Sequence, residues 1–242
     1  MKAKAKKIKN MSMETIMGRV QDMVAQREEF MKKENINNIH VKLQKGNSKT
    51  GVNCWTVSFI PIADCPNCSQ CKSFCYDIIN VCFQPKVKTD RARNSAIHKD
   101  DINRFWEEVS MGIKLNSVTE LRLCVGGDLS KEDFPYVNKI ARENPRCDIL
   151  FFTKTYDGIN EFLDHNEYPS NVHPIMSACE NMEMDNRHNL PTAHILFADG
   201  RTTAPEYGAI LCQGNCSTCH YNIKNRGCWE LKKGEAVVFP AH

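Results

Sequence analysis

The 242 residues contain no run near the roughly 20 apolar residues that cross a bilayer. The basic start "MKAKAKKIKN" leads into an amphipathic stretch, not the apolar core of a secretory leader. Neither a membrane span nor export is therefore expected, and the chain is placed in the cytoplasm. Charge of one sign is scarce too: 32 Lys and Arg against 29 Asp and Glu leave +3, which by itself does not argue for nucleic acid. Walker loops, H-E-x-x-H and G-x-S-x-G are all missing, which removes the common phosphate-cradle, zinc-protease and serine-hydrolase readings. The chain has no internal repeat and no low-complexity linker, and no domain boundary is visible after residue 40.

Cysteine is what the chain has in quantity. Thirteen cysteines in a reducing compartment are not expected to form disulfides, and an odd number cannot all pair. Clustered cytosolic cysteines more often hold metal. Cys65, Cys68, Cys71 and Cys75 stand in "CPNCSQCKSFCYD", and Cys212, Cys216, Cys219 and Cys228 in "CQGNCSTCHYNIKNRGCW". Each loop offers four soft ligands at short spacing, which suits a tetrahedral zinc or an iron–sulfur cluster. The first run has the C-x₂-C-x₂-C-x₃-C spacing of bacterial ferredoxins, but Tyr76 stands where their proline would be and no second such run exists. Spacing alone leaves zinc and iron–sulfur open. Both loops follow predicted strands, which would put them at the same end of a parallel sheet, the functional end in α/β proteins. That favours iron–sulfur over a zinc ribbon. Cys54, Cys124, Cys147 and Cys179 lie in or beside predicted strands and read as small buried hydrophobes; Cys82 is close enough to the first loop to be a spare ligand.

The pattern predicts a helix over residues 12–33 that packs on the core, capped by Ser12. "CWTVSFIPI" reads as a strand, "DINRFWEEVSMGIKL" as a helix with Ile102, Phe105, Trp106, Val109 and Ile113 on one stripe. Thereafter "ELRLCV", "DILFFT", "VHPIMS", "AHILFA" and "GAIL" read as strands, with helices in "KEDFPYVNKIAREN", capped by Ser130, and "DGINEFLDHN". This alternation argues for parallel βα units. The five lysines of the first ten residues form an arm able to touch nucleic acid or another polyanion, although a solvated end is the simpler reading. Lys86, Lys88 and "DRARN" at 90–94 read as a solvated helix face, with nucleic acid as the alternative.

The order of parts resembles the radical S-adenosylmethionine (SAM) enzymes. Their partial barrel has a first strand, a cysteine-bearing loop, and a second strand ending in a GGE-like motif. Here "LRLCVGGDLS" supplies Gly126, Gly127 and Asp128 about fifty residues beyond the cysteines. The resemblance implies a partial (βα)6-type parallel barrel over 46–242, with residues 1–45 as a basic arm and helix. It also implies one or two 4Fe-4S clusters, and Gly126, Gly127 and Asp128 beside a SAM pocket. The signature C-x₃-C-x₂-C is displaced: it occurs as Cys212, Cys216 and Cys219, whereas Ile78 stands where the first loop would need its third cysteine. "GNSKTG", "CYD", "GGDLS", "FFTKTY" and the closing "VVFPAH" resemble, in that order, the phage gene product 88 family. That resemblance implies a phage-encoded protein in the bacterial host cytoplasm.

Two functions follow as expectations. One is redox or radical chemistry at an iron–sulfur cluster, on a substrate the sequence does not name. The other is a non-enzymatic protein with zinc or closed clusters as staples, binding nucleic acid or a protein partner. Lys154, at a strand end, could hold a carboxylate or phosphate. Ser177 and Glu180 are weaker candidates, His173, His188 and His194 are scattered, and His220 adjoins Cys219.

Overall fold

The computed structural model describes residues 12–46, 53–68, 71–72, 75–81, 84–180, 182–206, 208–216, 219 and 227–240, with the backbone alone of Tyr76, Ile79 and Asn80. The lysine arm, "GNSKTG" beyond Gly46, Cys82 and His220 lie outside the described residues. In chain order the helices are α1 (Met13–Phe30), α2 (Lys33–Ile36), α3 (Tyr76–Val81), α4 (Pro85–Asp100), α5 (Ile102–Leu115), α6 (Asp133–Glu143) and α7 (Tyr156–His165). The strands are β1 (Gln44–Lys45), β2 (Cys54–Val57), β3 (Glu120–Leu123), β4 (Asp148–Thr153), β5 (Val172–Ser177), β6 (Thr192–Leu196), β7 (Ala209–Leu211) and β8 (Ala236–Pro240).

These strands form one open sheet in the order β1-β2-β3-β4-β5-β6-β8-β7, parallel except for the edge pair β1–β2. From β2 to β6 each new strand is added beside the previous one. With right-handed crossovers, a sheet that grows in one direction puts its connecting helices on one face. Strand alternation follows suit. Val57, Leu121, Leu123, Ile149, Phe151 and Met176 face the helices, packing with Phe105, Trp106, Phe134 and Ile159. Trp106 and Phe105 are essentially fully buried, each contributing about 1.5–3 kcal/mol by leaving water. The opposite face carries Cys54, Leu150, Ile175, Ala193 and Val237, covered by Trp229, Leu231, Cys212 and Cys228.

Helix α1 starts at the expected cap, Ser12, whose hydroxyl accepts from Thr15 N at 3.2 Å. Its Ile16, Val20 and Met23 pack on Ile60, Ile78, Val81 and Ala92. Ser130, in contrast, is not the cap of α6. The helix begins three residues later, and Ser130 gives both its N–H and its hydroxyl to Asp133. The strand from Cys54 ends at Val57, short of the expected nine residues. Cys124, opposite, takes the left-handed region (φ 53), which interrupts the regular ladder.

Helix α4 corrects the reading of 90–94 as a solvated face, because Asp90, Arg91, Ala92 and Asn94 are buried. Asp90, Arg91 and Asn94 each find a partner inside, although Arg91 Nε and the Ser95 hydroxyl are buried without one. Asn94 clamps the chain before β1, accepting from Lys42 N at 2.8 Å and donating to Lys42 O at 3.0 Å. Asp90 accepts from Gln44 Nε2 at 3.0 Å, and Arg91 pairs in a two-pronged contact with Asp77 of α3. No helix among the described residues is long and apolar enough to cross a membrane.

Candidate functional site

The first cysteine loop leaves β2 and is held over the carboxyl ends of the parallel strands. Arg27 of α1 donates to Asp64 Oδ1 at 3.2 Å, and Asp64 Oδ2 accepts from Ile60 N at 2.9 Å. The Asp64 carbonyl takes the N–H of Asp128 at 2.9 Å, tying the loop to the end of β3. Asn67 reaches the end of β4, donating to Lys154 O at 2.8 Å.

Three of the loop's cysteines meet there. Cys68 is within hydrogen-bonding reach of Cys65 and Cys71, and Cys71 accepts from both Cys68 and Cys179. Those two donors pull the Cys71 thiol down against the opposing effect of burial, and Lys154 adds to the pull. Burial lowers the Lys154 ammonium, but the thiolate charge of Cys71 and the Asp128 carboxylate outweigh it, so its pKa ends raised. Cys179 enters this group from just beyond β5. It is buried, as its sequence setting suggests, yet it touches Cys71 and is not inert filler. Spacing could not have found it, since it stands 104 positions from Cys75; only the sheet brings the ends of β2 and β5 within reach. Cys75 turns the other way. It packs beside the α1–α4 core, its sulfur accepts from the backbone N–H of Ile78 and Asp77, and burial pushes it up to about 12.

Gly126, Gly127 and Asp128 lie at the same sheet end. A Cβ at Gly126 would collide with the Asp77–Arg91 pair, and one at Gly127 (φ 77) would stand 2.7 Å from Phe59 Cβ. Both glycines thus make room for the protein's own groups. Asp128 accepts from Leu129 N at 2.8 Å through Oδ1 and from Lys154 N at 2.8 Å through Oδ2. Burial pushes its carboxyl up to about 6, against the Lys154 hydrogen bond and charge that lower it. Ser177 lends its carbonyl to the Tyr156 hydroxyl, and Glu180 pairs with Arg201 at 2.5 Å. His173 contacts Asp148, His188 contacts Asp164 and His194 contacts Thr192.

The second cysteine group is not at that end. Cys212, Cys216, Cys219 and Cys228 line a cavity of about 180 Å³ together with Cys54, Arg122 and Trp229. Cys54 opens β2, and Arg122 and Leu150 lie within β3 and β4, so the group lies over the face opposite the helices α4 to α7. The physical reason is that this face is apolar and, among the described residues, the chain after β7 covers it. Cys228 is pushed up to about 12 by burial, against the opposing charge of Arg122. Arg122 also lies over the Phe152 ring, 5.0 Å from its centroid. Gly214 N donates to Cys212 Sγ at 3.4 Å. Trp229 stands edge-on to His173 at 5.9 Å and is 6% exposed. Trp229→Ala is expected to cost about 3–5 kcal/mol, read as a lower denaturant midpoint, with faster alkylation of Cys54 beneath it.

Among the described residues no three His, Cys, Asp or Glu side chains are set as the shell of a metal ion. Parts of both loops, residues 69–70, 73–74, 217–218 and 220–226, lie outside that set. The donor types nonetheless suit soft metal: thiols with the charge of Lys154 near them in one group, and four thiols around one cavity in the other. Neither the curated proteins nor the solved structures contain a match to this chain. A family model described as Gene product 88 matches residues 29–228, from the end of α1 to the last cysteine, and the chain belongs to this family of phage proteins.

Proposed function

We propose that this protein binds an iron–sulfur cluster at the first cysteine loop and uses it for redox chemistry, on a partial barrel of radical-SAM type. The observation that carries the reading is the convergence of Cys65, Cys68 and Cys71 with Lys154 and Asp128 above the carboxyl ends of β2 to β5, where open parallel sheets hold ligands. The one-directional order of β2 to β6, with helices on one face, also supports it, since the first strands of an unrolled (βα) barrel would have that order. Thiolates select iron–sulfur or zinc, and the Lys154 ammonium offsets part of the negative charge four thiolates bring. A bound cluster would supply one-electron transfer and, if one iron lacked a protein ligand, a place for SAM. Here Asp128 already spends both oxygens on backbone donors, which favours electron transfer over a SAM contact at that residue.

A structural role suits the second group better. Its four cysteines and Trp229 cover an apolar sheet face, so zinc or a closed cluster there would act as a staple. Anaerobic purification with counts of iron, sulfide and zinc tests both. Iron and sulfide in equal amounts, with broad visible absorbance, are expected. Zinc without sulfide would sink the cluster reading. With SAM and a reductant added, release of 5′-deoxyadenosine would move the reading from electron transfer to radical chemistry.

A further inference from the structure

At the amino ends of β5 and β6, away from the first cysteine loop, lies a cavity of about 510 Å³. The chain leaving α7 forms one side of it, and the return to β8 another, through Leu231 and Lys233. Two histidines line it, each pinned by a carboxylate. His173 Nε2 lies 3.1 Å from Asp148 Oδ1, and His188 Nε2 lies 2.9 Å from Asp164 Oδ1. A carboxylate only accepts, so each Nε2 carries the proton and each neutral ring keeps a lone pair on Nδ1. Among the described residues neither Nδ1 has a partner, and neither is sealed from solvent. Asn166 adds a third acceptor: its Nδ2 donates to Phe162 O at 3.0 Å, which leaves Oδ1 for a ligand. Arg142 holds the Glu167 carbonyl at 3.0 Å, while the Glu167 carboxylate has no ion pair among the described residues. Helix α7 ends at His165, beside the cavity, and the carbonyls of a helix C-terminus favour cations. Lys233 is the one ammonium in the lining, and its exposed side chain can extend into water. Much of the remaining wall is hydrocarbon, with Leu163, Val172, Leu190 and Leu231 beside three prolines.

We propose that this cavity binds a small aliphatic diamine or polyamine. Its ammonium groups donate to His173 Nδ1, His188 Nδ1, Asn166 Oδ1 and Glu167, and its methylene stem lies on the apolar wall. A lining rich in acceptors disfavours carboxylates and phosphates, which bring acceptors of their own. A neutral diol can donate as well, but it gains little from the Glu167 charge or the α7 carbonyls. The volume lies in the range of cavities that hold small molecules. The site stands apart from the proposed cluster, because no residue of the first cysteine loop lines it.

Titration of the full-length protein, with isotope-labelled histidine, tests this by NMR. The probes are putrescine and spermidine, with butanediol as the neutral analogue of putrescine and succinate as the anionic one. The Nδ1 resonances of His173 and His188 are expected to shift together with putrescine, with a Kd of about 1 mM or tighter. Those of His98 and His194, which lie outside the cavity, should stay in place. Butanediol and succinate should bind at least about tenfold more weakly. Glu167 is exposed, so Glu167→Gln should leave the fold intact and weaken putrescine several-fold. Shifts with butanediol or succinate as strong as with putrescine overturn the ligand class. Equal shifts across all the histidines mean general attraction to the surface and overturn the site. So does the absence of any shift at His173 and His188 with roughly 10 mM putrescine or spermidine. The wild-type titration separates these outcomes without any variant.

Discussion

Gly126→Ala is expected to cost about 3–5 kcal/mol, the range for splitting a buried ion pair. The added methyl would occupy the space of the Asp77 carboxylate and the Arg91 guanidinium. Both side chains are only 5% exposed, so neither can retreat into water without carrying its helix along. Arg91 Nη2 lies 2.9 Å from Asp77 Oδ1, and displacing either group leaves a buried charge unanswered. Typical domains are stable by about 5–15 kcal/mol, so this one methyl would remove a large share. Urea denaturation reads it as a lower midpoint at unchanged slope. Gly18→Ala is the control: nothing lies within 4 Å of its would-be Cβ, and in the middle of α1 alanine should add about 0.5–1 kcal/mol. A Gly126→Ala protein as stable as wild type would show that the glycine is there for something other than this pair.

The second large effect is expected at Asp133, where α6 begins. Trp106 Nε1 donates to its Oδ1 at 2.9 Å and His98 Nε2 lies 2.6 Å from the same oxygen. Ser130 supplies N–H and hydroxyl donors to Oδ2, at 2.8 and 2.9 Å. Burial alone would raise this carboxyl, but the His98 contact, the Ser130 N–H and the Trp106 indole outweigh it, so its pKa is lowered. A carboxyl with a depressed folded pKa stabilises the fold above its unfolded value, about 3.9, and that stability drains away as pH falls through the folded value. Asp133→Ala, which orphans every donor, should cost about 3–5 kcal/mol at neutral pH. Asp133→Asn should cost less, about 2–3 kcal/mol, because it keeps one acceptor. Stability measured from pH 7 down to pH 3 should fall less steeply in Asp133→Asn than in wild type. Equal slopes would mean that the carboxyl's titration does not contribute to acid sensitivity.

Local pattern is enough for elements whose two faces differ. "DILFFT" and "VHPIMS" read as strands to the residue, and α5 shows the expected buried stripe at Phe105, Trp106, Val109 and Ile113. It is not enough where polar groups are buried. Helix α4 shows no apolar stripe, and its buried polar residues find partners in Lys42, Gln44, Ser58 and Asp77, which no window of the sequence joins. Strand β8 escapes the pattern because "AVVFP" is short, ends in proline and has no second turn signal to frame it. The glycines before Asp128 suggest a cradle; Gly126 answers instead to a pair formed by Asp77 and Arg91, 49 and 35 positions upstream. The candidate site is half legible. Cys65, Cys68 and Cys71 announce themselves by spacing, whereas Cys179 becomes visible only when β5 is laid three strands from β2. The second cysteine group is recognisable as a group, but the expectation that it shares the sheet end with the first fails. Following a strand says nothing about where a 24-residue return to the next strand will lie.

Strand β8 sits between β6 and β7, parallel to both, although it is made after them. On the ribosome, therefore, β6 and β7 emerge with no partner for their facing edges and must wait for residues 236–240. The cysteine loop is the tether that spans this wait, since residues 212–228 lie between β7 and β8. Whatever gathers Cys212, Cys216, Cys219 and Cys228 shortens that tether and raises the local concentration of β8 at the open slot. The second cysteine group can thus act on the timing of assembly as well as on the finished fold, by deciding how long an exposed strand edge remains available to other chains.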